Sequence, residues 1–259
     1  MAGHVAVVNA GGFGTALAVL LATSGHEVRL WCRRAEQARL LEASRRNTAY
    51  LPDVTIPPQV RATASLQEAV EGARAVLLVP ISRALRETST AVAACLPQDV
   101  PVLHATKGLE LLTLRRLSEV VVEELRTDRV AVLSGPTHAE EVGCGMPTAA
   151  VIASARADVA ATFQDLLHGP TFRAYTSADT VGVELCGALK NVVALATGAS
   201  DGLGYGDNAR AALITRSLVE IGRLVHAAGG DARTVAGLAG LGDVVATCTS
   251  QHSRNRWAG

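Results

Sequence analysis

Apolar residues in the first two-thirds of the chain gather into short continuous runs, and helical stretches separate these runs. Continuous apolar runs are typical of parallel strands that are covered on both faces. The predicted strands are 5–8, 28–31, 60–63, 75–79, 102–105, 130–133, 148–153 and 172–175. The predicted helices between them are 14–24, 35–44, 66–71, 83–94, 114–125 and 157–167. This alternation predicts an α/β fold with a doubly wound parallel sheet.

The pattern changes near residue 179. From there, 181–197, 209–228 and 234–239 have helical spacing, and glycine-rich turns separate them. We therefore predict a sheet domain over 1–177 and an all-helical domain over 178–259, with the boundary near Ser177. The charged segment 254–259 does not have the pattern of a complete helix.

Composition limits the classes of function. The 24 basic and 24 acidic side chains balance, so there is no general attraction to nucleic acid or to an anionic membrane. The five cysteines have no C-x-x-C spacing, and the sequence shows no Cys/His cluster that would bind a metal. No signal peptide and no uninterrupted apolar run of ~20 residues is visible. We expect a cytoplasmic protein with reduced thiols, no metal, no membrane insertion and no nucleic-acid partner.

Only two of the 24 basic residues are lysine. Lys107 follows the predicted strand 102–105, and Lys190 lies among small and apolar residues. An ammonium group can lower its pKa on burial and release a proton, whereas a guanidinium group stays charged. Codon bias with two chance survivors is the alternative, and we favour a chemical role for both lysines.

A glycine-rich turn follows the first predicted strand. The run Asn9-Ala-Gly11-Gly12-Phe13-Gly14 is similar to the dinucleotide fingerprint, in which glycines let the backbone approach a pyrophosphate at a helix N-terminus. Asn9 stands where the first glycine is expected, and asparagine tolerates the left-handed region better than most residues. A glycine-rich turn that binds nothing is the alternative.

The second predicted strand leads into Arg33-Arg34, where a cofactor without a 2′-phosphate usually meets an acidic residue. Guanidinium groups suit a 2′-phosphate, so NADP(H) is favoured over NAD(H). An ordinary solvated arginine pair is the alternative.

Further polar segments follow along the chain. They are Lys107-Gly-Leu-Glu110, Ser134-Gly-Pro-Thr-His-Ala-Glu-Glu141, Gly187-Ala-Leu-Lys-Asn191, 200–215, Gly240-Leu-Gly-Asp243 and Ser253-Arg-Asn-Arg256. Together these segments closely resemble the sequence of bacterial-type NAD(P)-dependent glycerol-3-phosphate dehydrogenase. The resemblance extends over essentially the whole chain, and the run 184–215 is highly specific. It implies a Rossmann-type sheet domain followed by a helical substrate domain.

The resemblance implies that the enzyme interconverts dihydroxyacetone phosphate and sn-glycerol 3-phosphate with NAD(P)H and so feeds glycerophospholipid synthesis. Residues implied in catalysis are Lys190, Lys107 and Asp243, with Lys190 as the proton donor and acceptor. The fingerprint and the resemblance together assign cofactor contacts to Gly11, Gly12, Phe13, Gly14, Arg33, Arg34, Tyr50, Lys107, Ala139 and Arg254. Substrate contacts are implied for Lys107, Gly135, Thr137, Lys190, Asp243, Ser253, Arg254 and Asn255. The implied partner is a small phosphorylated triose, and a homodimer is a candidate assembly.

The chemistry of the reaction agrees with these residue types. Reduction of a ketone builds negative charge on oxygen, and a partly desolvated ammonium at Lys190 can supply both a positive charge and a proton. Arg254 offers bidentate recognition of a phosphate. We expect Lys107 and Lys190 to meet across the cleft between the two domains.

Two alternatives remain. One is a related two-domain reductase of a β-hydroxyacid or 2-ketoacid, which also carries a lysine on a helix but binds a carboxylate substrate. The other follows from chain length, because members of the resembled family continue past Ser-Arg-Asn-Arg with further helices. Under that alternative the helical domain is incomplete, and the chain is an inactive copy that binds nucleotide at most.

Overall fold

An eight-stranded sheet forms the first part of the computed structural model, which describes residues 3–259. Its strands are β1 (Val5–Val8), β2 (Val28–Trp31), β5 (Val60–Thr63), β6 (Ala75–Leu78), β7 (Val102–His104), β8 (Val130–Ser134), β9 (Thr148–Ala153) and β10 (Phe172–Ser177). Two short strands, β3 (Arg46–Asn47) and β4 (Leu51–Thr55), pair separately as an antiparallel hairpin.

Seven helices lie among these strands: α1 (Gly12–Thr23), α2 (Ala35–Ser44), α3 (Leu66–Val70), α4 (Leu85–Ala93), α5 (Leu117–Leu125), α6 (Ala139–Gly143) and α7 (Ala157–Leu167). Four more follow: α8 (Thr180–Gly202), α9 (Asp207–Ala227), α10 (Asp243–Thr249) and α11 (Arg254–Ala258). Short 3₁₀ turns cover Ser82–Ala84 and Ala232–Ala236, and a π turn covers Leu238–Gly242.

Strand β1 shows why the apolar runs are continuous. Val5 and Val7 pack into a core with α1, α2 and α7, while Ala6 and Val8 pack into a second core with α3, α4 and α5. Both faces of the sheet are therefore buried, as the sequence pattern predicts. The predicted α/β class and doubly wound arrangement are confirmed.

The sheet order is β5-β2-β1-β6-β7-β8-β9-β10. Strands β2 and β5 lie on one side of β1. Strands β6 to β10 then follow on the other side of β1. Such a reversal opens a crevice at the carboxyl ends of the central strands, where ligands of this fold bind. The ends of β1, β7 and β8 lead directly to the fingerprint turn, to Lys107 and to Gly135.

The sheet is parallel except at one edge. Strand β9 pairs antiparallel with β8, and β10 runs parallel to β9. The segment between β8 and β9 contains only the single-turn helix α6, which packs on α1 instead of crossing the sheet. The chain therefore re-enters the sheet from the edge at which β8 ended.

The predicted elements match the observed ones except near glycines and strained turns. The helix predicted at 114–125 begins at Leu117, because Leu112 and Leu114 have φ values of 82° and 57°. The prediction of a helix at 234–239 is wrong, because the chain forms a 3₁₀ turn before Gly237 and a π turn after it. The segment 254–259, expected not to complete a helix, contains α11, and the β3–β4 hairpin, α6 and α10 were not predicted.

The helical part has its own apolar core, built on α8 and α9. Val183, Val193, Ile221 and Val225 belong to it, and Val132 of β8 packs into the same core. Helix α8 has the length and apolar composition of a membrane span, but 56% of that window is buried inside the protein, as in a core helix. The division into 1–177 and 178–259 stays a prediction.

Asp179 joins the start of α8 to the turn that follows α9. Its Oδ1 accepts the Gly182 N–H at 2.8 Å, and its Oδ2 accepts from the Asp231 N–H at 3.0 Å and from Thr234 Oγ1 at 2.6 Å. The carboxylate thus caps one helix and holds a second segment against it.

Replacing Asp179 with alanine should lower the free energy of unfolding by roughly 1–3 kcal/mol, because the cap and two long-range hydrogen bonds are lost. Urea denaturation followed by circular dichroism measures this. Glu220→Ala, which removes an exposed partner of Arg216, is the control and should change stability by less than about 0.5 kcal/mol. Equal midpoints for the two variants would contradict the role given to Asp179.

Candidate active site

Lys107 and Lys190 meet at one carboxylate. Lys107 Nζ donates to Asp243 Oδ2 at 2.5 Å, and Lys190 Nζ donates to Asp243 Oδ1 at 2.7 Å. Lys107 follows β7, Lys190 lies on α8, and Asp243 is the first residue of α10. The side chains of Lys190 and Asp243 are buried, whereas Lys107 is partly exposed. The site therefore combines two cations and one anion at the junction of sheet and helices.

Lys190 has the chemistry of a proton donor near neutral pH. Burial and the neighbouring ammonium of Lys107 lower its pKa, Asp243 opposes the shift, and the resulting pKa is about 8. The ammonium also donates to Thr247 Oγ1 at 2.6 Å. A lysine in this setting can exchange a proton within the physiological range.

Thr247 was missed by the sequence analysis. It lies four residues after Asp243 on α10, and its hydroxyl is 3.3 Å from Asp243 Oδ1. The i, i+4 spacing would have indicated this neighbour once α10 was recognised as a helix. Thr247 completes the polar shell around the Lys190 ammonium.

The turn after β8 supplies further groups beside Lys107. Lys107 Nζ donates to the Gly135 carbonyl at 2.8 Å, and Thr137 Oγ1 donates to the same carbonyl at 3.2 Å. Gly135 has φ +135°, and a Cβ there would lie 3.1 Å from the Ala150 backbone, so a side chain is excluded. The predicted substrate residues Gly135 and Thr137 thus lie next to Lys107.

The Ser-Arg-Asn-Arg segment lies at the start of α11. Ser253 is buried and its Oγ accepts the Arg256 N–H at 3.2 Å, which caps the helix. Asn255 Nδ2 donates to Asn191 Oδ1 at 2.7 Å, and Asn191 follows Lys190 directly. Arg254 is exposed and makes no side-chain hydrogen bond with the residues that the structure describes. Its guanidinium group is therefore available to an anion.

A buried acidic group joins α8 to the start of α5. Glu184 of α8 accepts from the Ser118 N–H at 2.8 Å and from Arg116 Nη1 at 3.1 Å. His104 Nε2, at the end of β7, lies 3.4 Å from Glu184 Oε1. This cluster was not predicted from the sequence, and its His104 lies three residues before Lys107.

The fingerprint turn has the predicted conformation. Asn9 adopts φ 95°, in the left-handed region that asparagine tolerates. A Cβ at Gly14 would lie 2.0 Å from the Asn9 carbonyl oxygen, so the close return of the helix to the strand requires glycine there. No atom lies within 4 Å of the Cβ position of Gly11, so that side of the turn is open.

The predicted cofactor residues gather around this turn in part. A Cβ at Gly12 would lie 3.1 Å from the Tyr50 carbonyl oxygen and 3.6 Å from Ala139 Cβ, so both residues border the turn. Phe13 is half-buried against the core. Arg33 and Arg34 are exposed at the end of β2 and make no side-chain hydrogen bonds with any residue from 3 to 259. An open turn with two free guanidinium groups beside it fits a phosphorylated dinucleotide.

Asn47 holds the hairpin against the turn and was missed by the sequence analysis. Its Nδ2 donates to the Ala10 carbonyl at 3.0 Å and to Thr15 Oγ1 at 2.7 Å, and the side chain is buried. Gln37 Nε2 donates to the same Ala10 carbonyl at 2.8 Å. Asn47 therefore connects the fingerprint turn to the segment that carries Tyr50.

The chain is similar to known proteins in both sequence and fold. The family model described as NAD-dependent glycerol-3-phosphate dehydrogenase N-terminus matches residues 4–160, and the corresponding C-terminus model matches residues 179–259. A glycerol-3-phosphate dehydrogenase [NAD(P)+] of Moorella thermoacetica is 54% identical over 98% of this chain and 76% of the relative. The protein of the same description from Desulfitobacterium hafniense is 50% identical over 98% of this chain and 72% of the relative.

A solved structure agrees with these relatives. The crystal structure of glycerol-3-phosphate dehydrogenase from Coxiella burnetii superposes with a TM-score of 0.93 at 44% identity. The match covers 98% of this chain and 78% of that one. Sequence and fold thus agree over nearly the whole chain.

Replacing Asn47 with alanine should raise the KM for the dinucleotide about tenfold, because the bonds that hold the hairpin on the fingerprint turn are lost. Asn47→Asp should be equally harmful, since a carboxylate cannot donate to the Ala10 carbonyl. Asn208→Ala, an exposed change on α9, is the control. Steady-state kinetics give the KM for the dinucleotide and for the second substrate. An equal rise in both KM values would contradict a local effect on the turn.

Proposed function

The chain belongs to the NAD(P)-dependent glycerol-3-phosphate dehydrogenase family, and from this premise we infer that it interconverts dihydroxyacetone phosphate and sn-glycerol 3-phosphate with NAD(P)H. The observation that carries this inference is the arrangement of Lys190, Asp243 and Lys107. A buried lysine with a lowered pKa beside a second cation is what the reduction of a ketone to an alcohol requires. The product is the backbone precursor of glycerophospholipids.

The dinucleotide is held by the fingerprint turn and its neighbours. Gly11, Gly12, Phe13 and Gly14 offer backbone N–H groups and an open surface at the start of α1. Arg33 and Arg34 support a preference for NADP(H), since two exposed guanidinium groups stand where a 2′-phosphate lies in this type of fold. When bound, the reduced nicotinamide supplies the hydride.

Lys190 protonates the substrate oxygen as negative charge builds on it. The ammonium is held by Asp243 Oδ1 and Thr247 Oγ1, so its direction is set before the substrate arrives. Lys107 contributes a second positive charge and is anchored on Asp243 Oδ2 and the Gly135 carbonyl. In the oxidation direction the neutral amine of Lys190 takes the proton back.

The substrate phosphate is bound by the start of α11. Arg254 has a free guanidinium group, and Ser253 and Asn255 flank it. The phosphate is remote from the reacting carbon, so its binding energy serves to orient the ketone toward Lys190. Gly135 and Thr137 line the opposite side, next to Lys107.

We also propose a cytoplasmic location. The five unpaired cysteines and the balanced charge support it. A homodimer is the proposed assembly. We keep the division into a dinucleotide-binding domain, 1–177, and a substrate domain, 178–259.

Lys190→Arg should lower kcat for dihydroxyacetone phosphate by roughly 10²–10⁴-fold, because a guanidinium group keeps the positive charge but does not release a proton. Substrate and dinucleotide binding, measured by calorimetry, should be largely kept. Arg216→Lys, a conservative change on an exposed face of α9, is the control. Normal turnover in Lys190→Arg, or turnover of an unphosphorylated 2-ketoacid instead of dihydroxyacetone phosphate, would overturn the proposal.

The two directions of the reaction should depend on pH in opposite ways. Reduction needs protonated Lys190, so kcat/KM for dihydroxyacetone phosphate should fall as the pH rises through about 8. Oxidation needs the neutral amine, so kcat/KM for sn-glycerol 3-phosphate should rise over the same range. Initial rates across pH 6–10 at saturating dinucleotide measure both profiles, and the same trend in both directions would exclude Lys190 as the group that titrates.

A further inference from the structure

Helix α11 (Arg254–Ala258) carries the residues that bind the substrate phosphate in the proposed function. The position of Ser253, Arg254 and Asn255 depends on the contacts that α11 makes with other elements.

The strongest of these contacts is an ion pair with the last turn of α8. Arg256 Nε donates to Asp201 Oδ2 at 2.9 Å, and Arg256 Nη2 lies 2.8 Å from the same oxygen. The other oxygen, Asp201 Oδ1, accepts from Arg210 Nε at 3.0 Å and from Arg210 Nη2 at 2.7 Å. One carboxylate thus joins α8, α9 and α11.

The charge state of Asp201 suits this task. The hydrogen bonds from Arg210 lower its pKa, and those from Arg256 lower it further, so the carboxylate stays ionised at working pH. All three side chains are about three-quarters buried, which strengthens the pairs relative to fully exposed ones.

The backbone of α11 lies directly on α8 at the same place. A Cβ at Gly198, three residues before Asp201, would lie 1.9 Å from the Arg256 carbonyl oxygen. No residue other than glycine permits this approach. The seat of α11 is therefore built into the helix that also carries Lys190 and Asn191.

The two arginines of the Ser-Arg-Asn-Arg segment consequently have different tasks. Arg256 is bound by Asp201, whereas Arg254 is exposed and makes no ion pair with the described residues. Only Arg254 can offer its guanidinium group to an anion without breaking an existing pair.

We propose that Asp201 is a positioning residue, which holds Arg256 and thereby sets the place at which Arg254, Ser253 and Asn255 meet the substrate phosphate. This inference rests on the proposed function, because it takes the substrate to be a triose phosphate. It adds a determinant of substrate affinity that lies outside the catalytic group of Lys190, Lys107 and Asp243.

The test is a double-mutant cycle on the full chain with Asp201→Ala, Arg256→Ala and the double variant. Each single change should raise the KM for dihydroxyacetone phosphate about tenfold, with the KM for the dinucleotide unchanged within about twofold and kcat within about threefold. The double variant should be no worse than either single variant, since both remove the same contact. Arg256→Lys should restore part of the affinity, because a cation returns without the planar fork.

Controls separate this effect from a general loss of structure. Arg216→Ala removes an exposed pair on α9 and should leave every constant unchanged. Arg254→Ala should raise the KM for dihydroxyacetone phosphate more than any change at Asp201. Asp201→Asn, which keeps the shape of the side chain, replaces Asp201→Ala if the latter does not fold.

Amide hydrogen exchange of residues 254–258 gives a readout that does not depend on turnover. Exchange there should be faster in Asp201→Ala and Arg256→Ala than in the wild type and in Arg216→Ala. Unchanged exchange, additive effects on KM, or an equal rise in the KM for the dinucleotide would each overturn the role of Asp201. A wild-type chain without turnover of dihydroxyacetone phosphate would contradict the proposed function instead, and the exchange measurement would still decide whether Asp201 holds α11.

Discussion

Asp243 accepts two lysine ammonium groups, one on each oxygen of a single buried carboxylate. Two like charges would otherwise repel each other in a place where water screens them poorly. The carboxylate offsets one of the two, so the group keeps a net charge of about +1. In the proposed mechanism this charge stabilises the oxygen that becomes negative. Because Lys107 follows a strand and Lys190 lies on a helix, the same carboxylate also joins the sheet to the helical part. Catalytic charge and the junction of the fold thus depend on one side chain.

Helix α8 carries three of the polar contacts that align the site. Near the start of α8, Glu184 binds the first turn of α5. In the middle of α8, Lys190 binds Asp243, and in the last turn Asp201 binds Arg256. A slip of α8 by one helical turn, about 5.4 Å, would break all three at once. The helix is apolar enough to be buried, and it is polar at the few positions that contact polar groups of other elements. Its register is therefore specified by long-range polar contacts as well as by packing.

The sequence analysis identified the parts of the molecule that depend on local rules. Continuous apolar runs predicted the strands of the main sheet, and the tolerance of asparagine for the left-handed region predicted the turn at Asn9. Three residues of the site were not predicted: Asn47, Thr247 and Asp201. Each is a common polar residue with a partner that lies far along the chain. Asn47 and Ala10 are 37 residues apart, and Lys190 and Thr247 are 57 apart. The reversed edge strand β9 was also missed, since periodicity reports burial but not direction.

The proposed mechanism accounts for the two positions at which the chain keeps lysine. Arg86 binds Glu110, Glu123 and Glu124, and Arg256 binds Asp201, in pairs that need a permanent charge and a planar fork. In the proposed mechanism Lys190 has the opposite requirement, because a proton donor must be able to lose its charge. Its pKa is lowered to about 8, mainly by burial. Lys107 needs a compact ammonium to reach both Asp243 Oδ2 and the Gly135 carbonyl from the end of a strand. Under the proposed mechanism a guanidinium group would fail at both positions, because it does not release its proton at 190 and is not compact at 107.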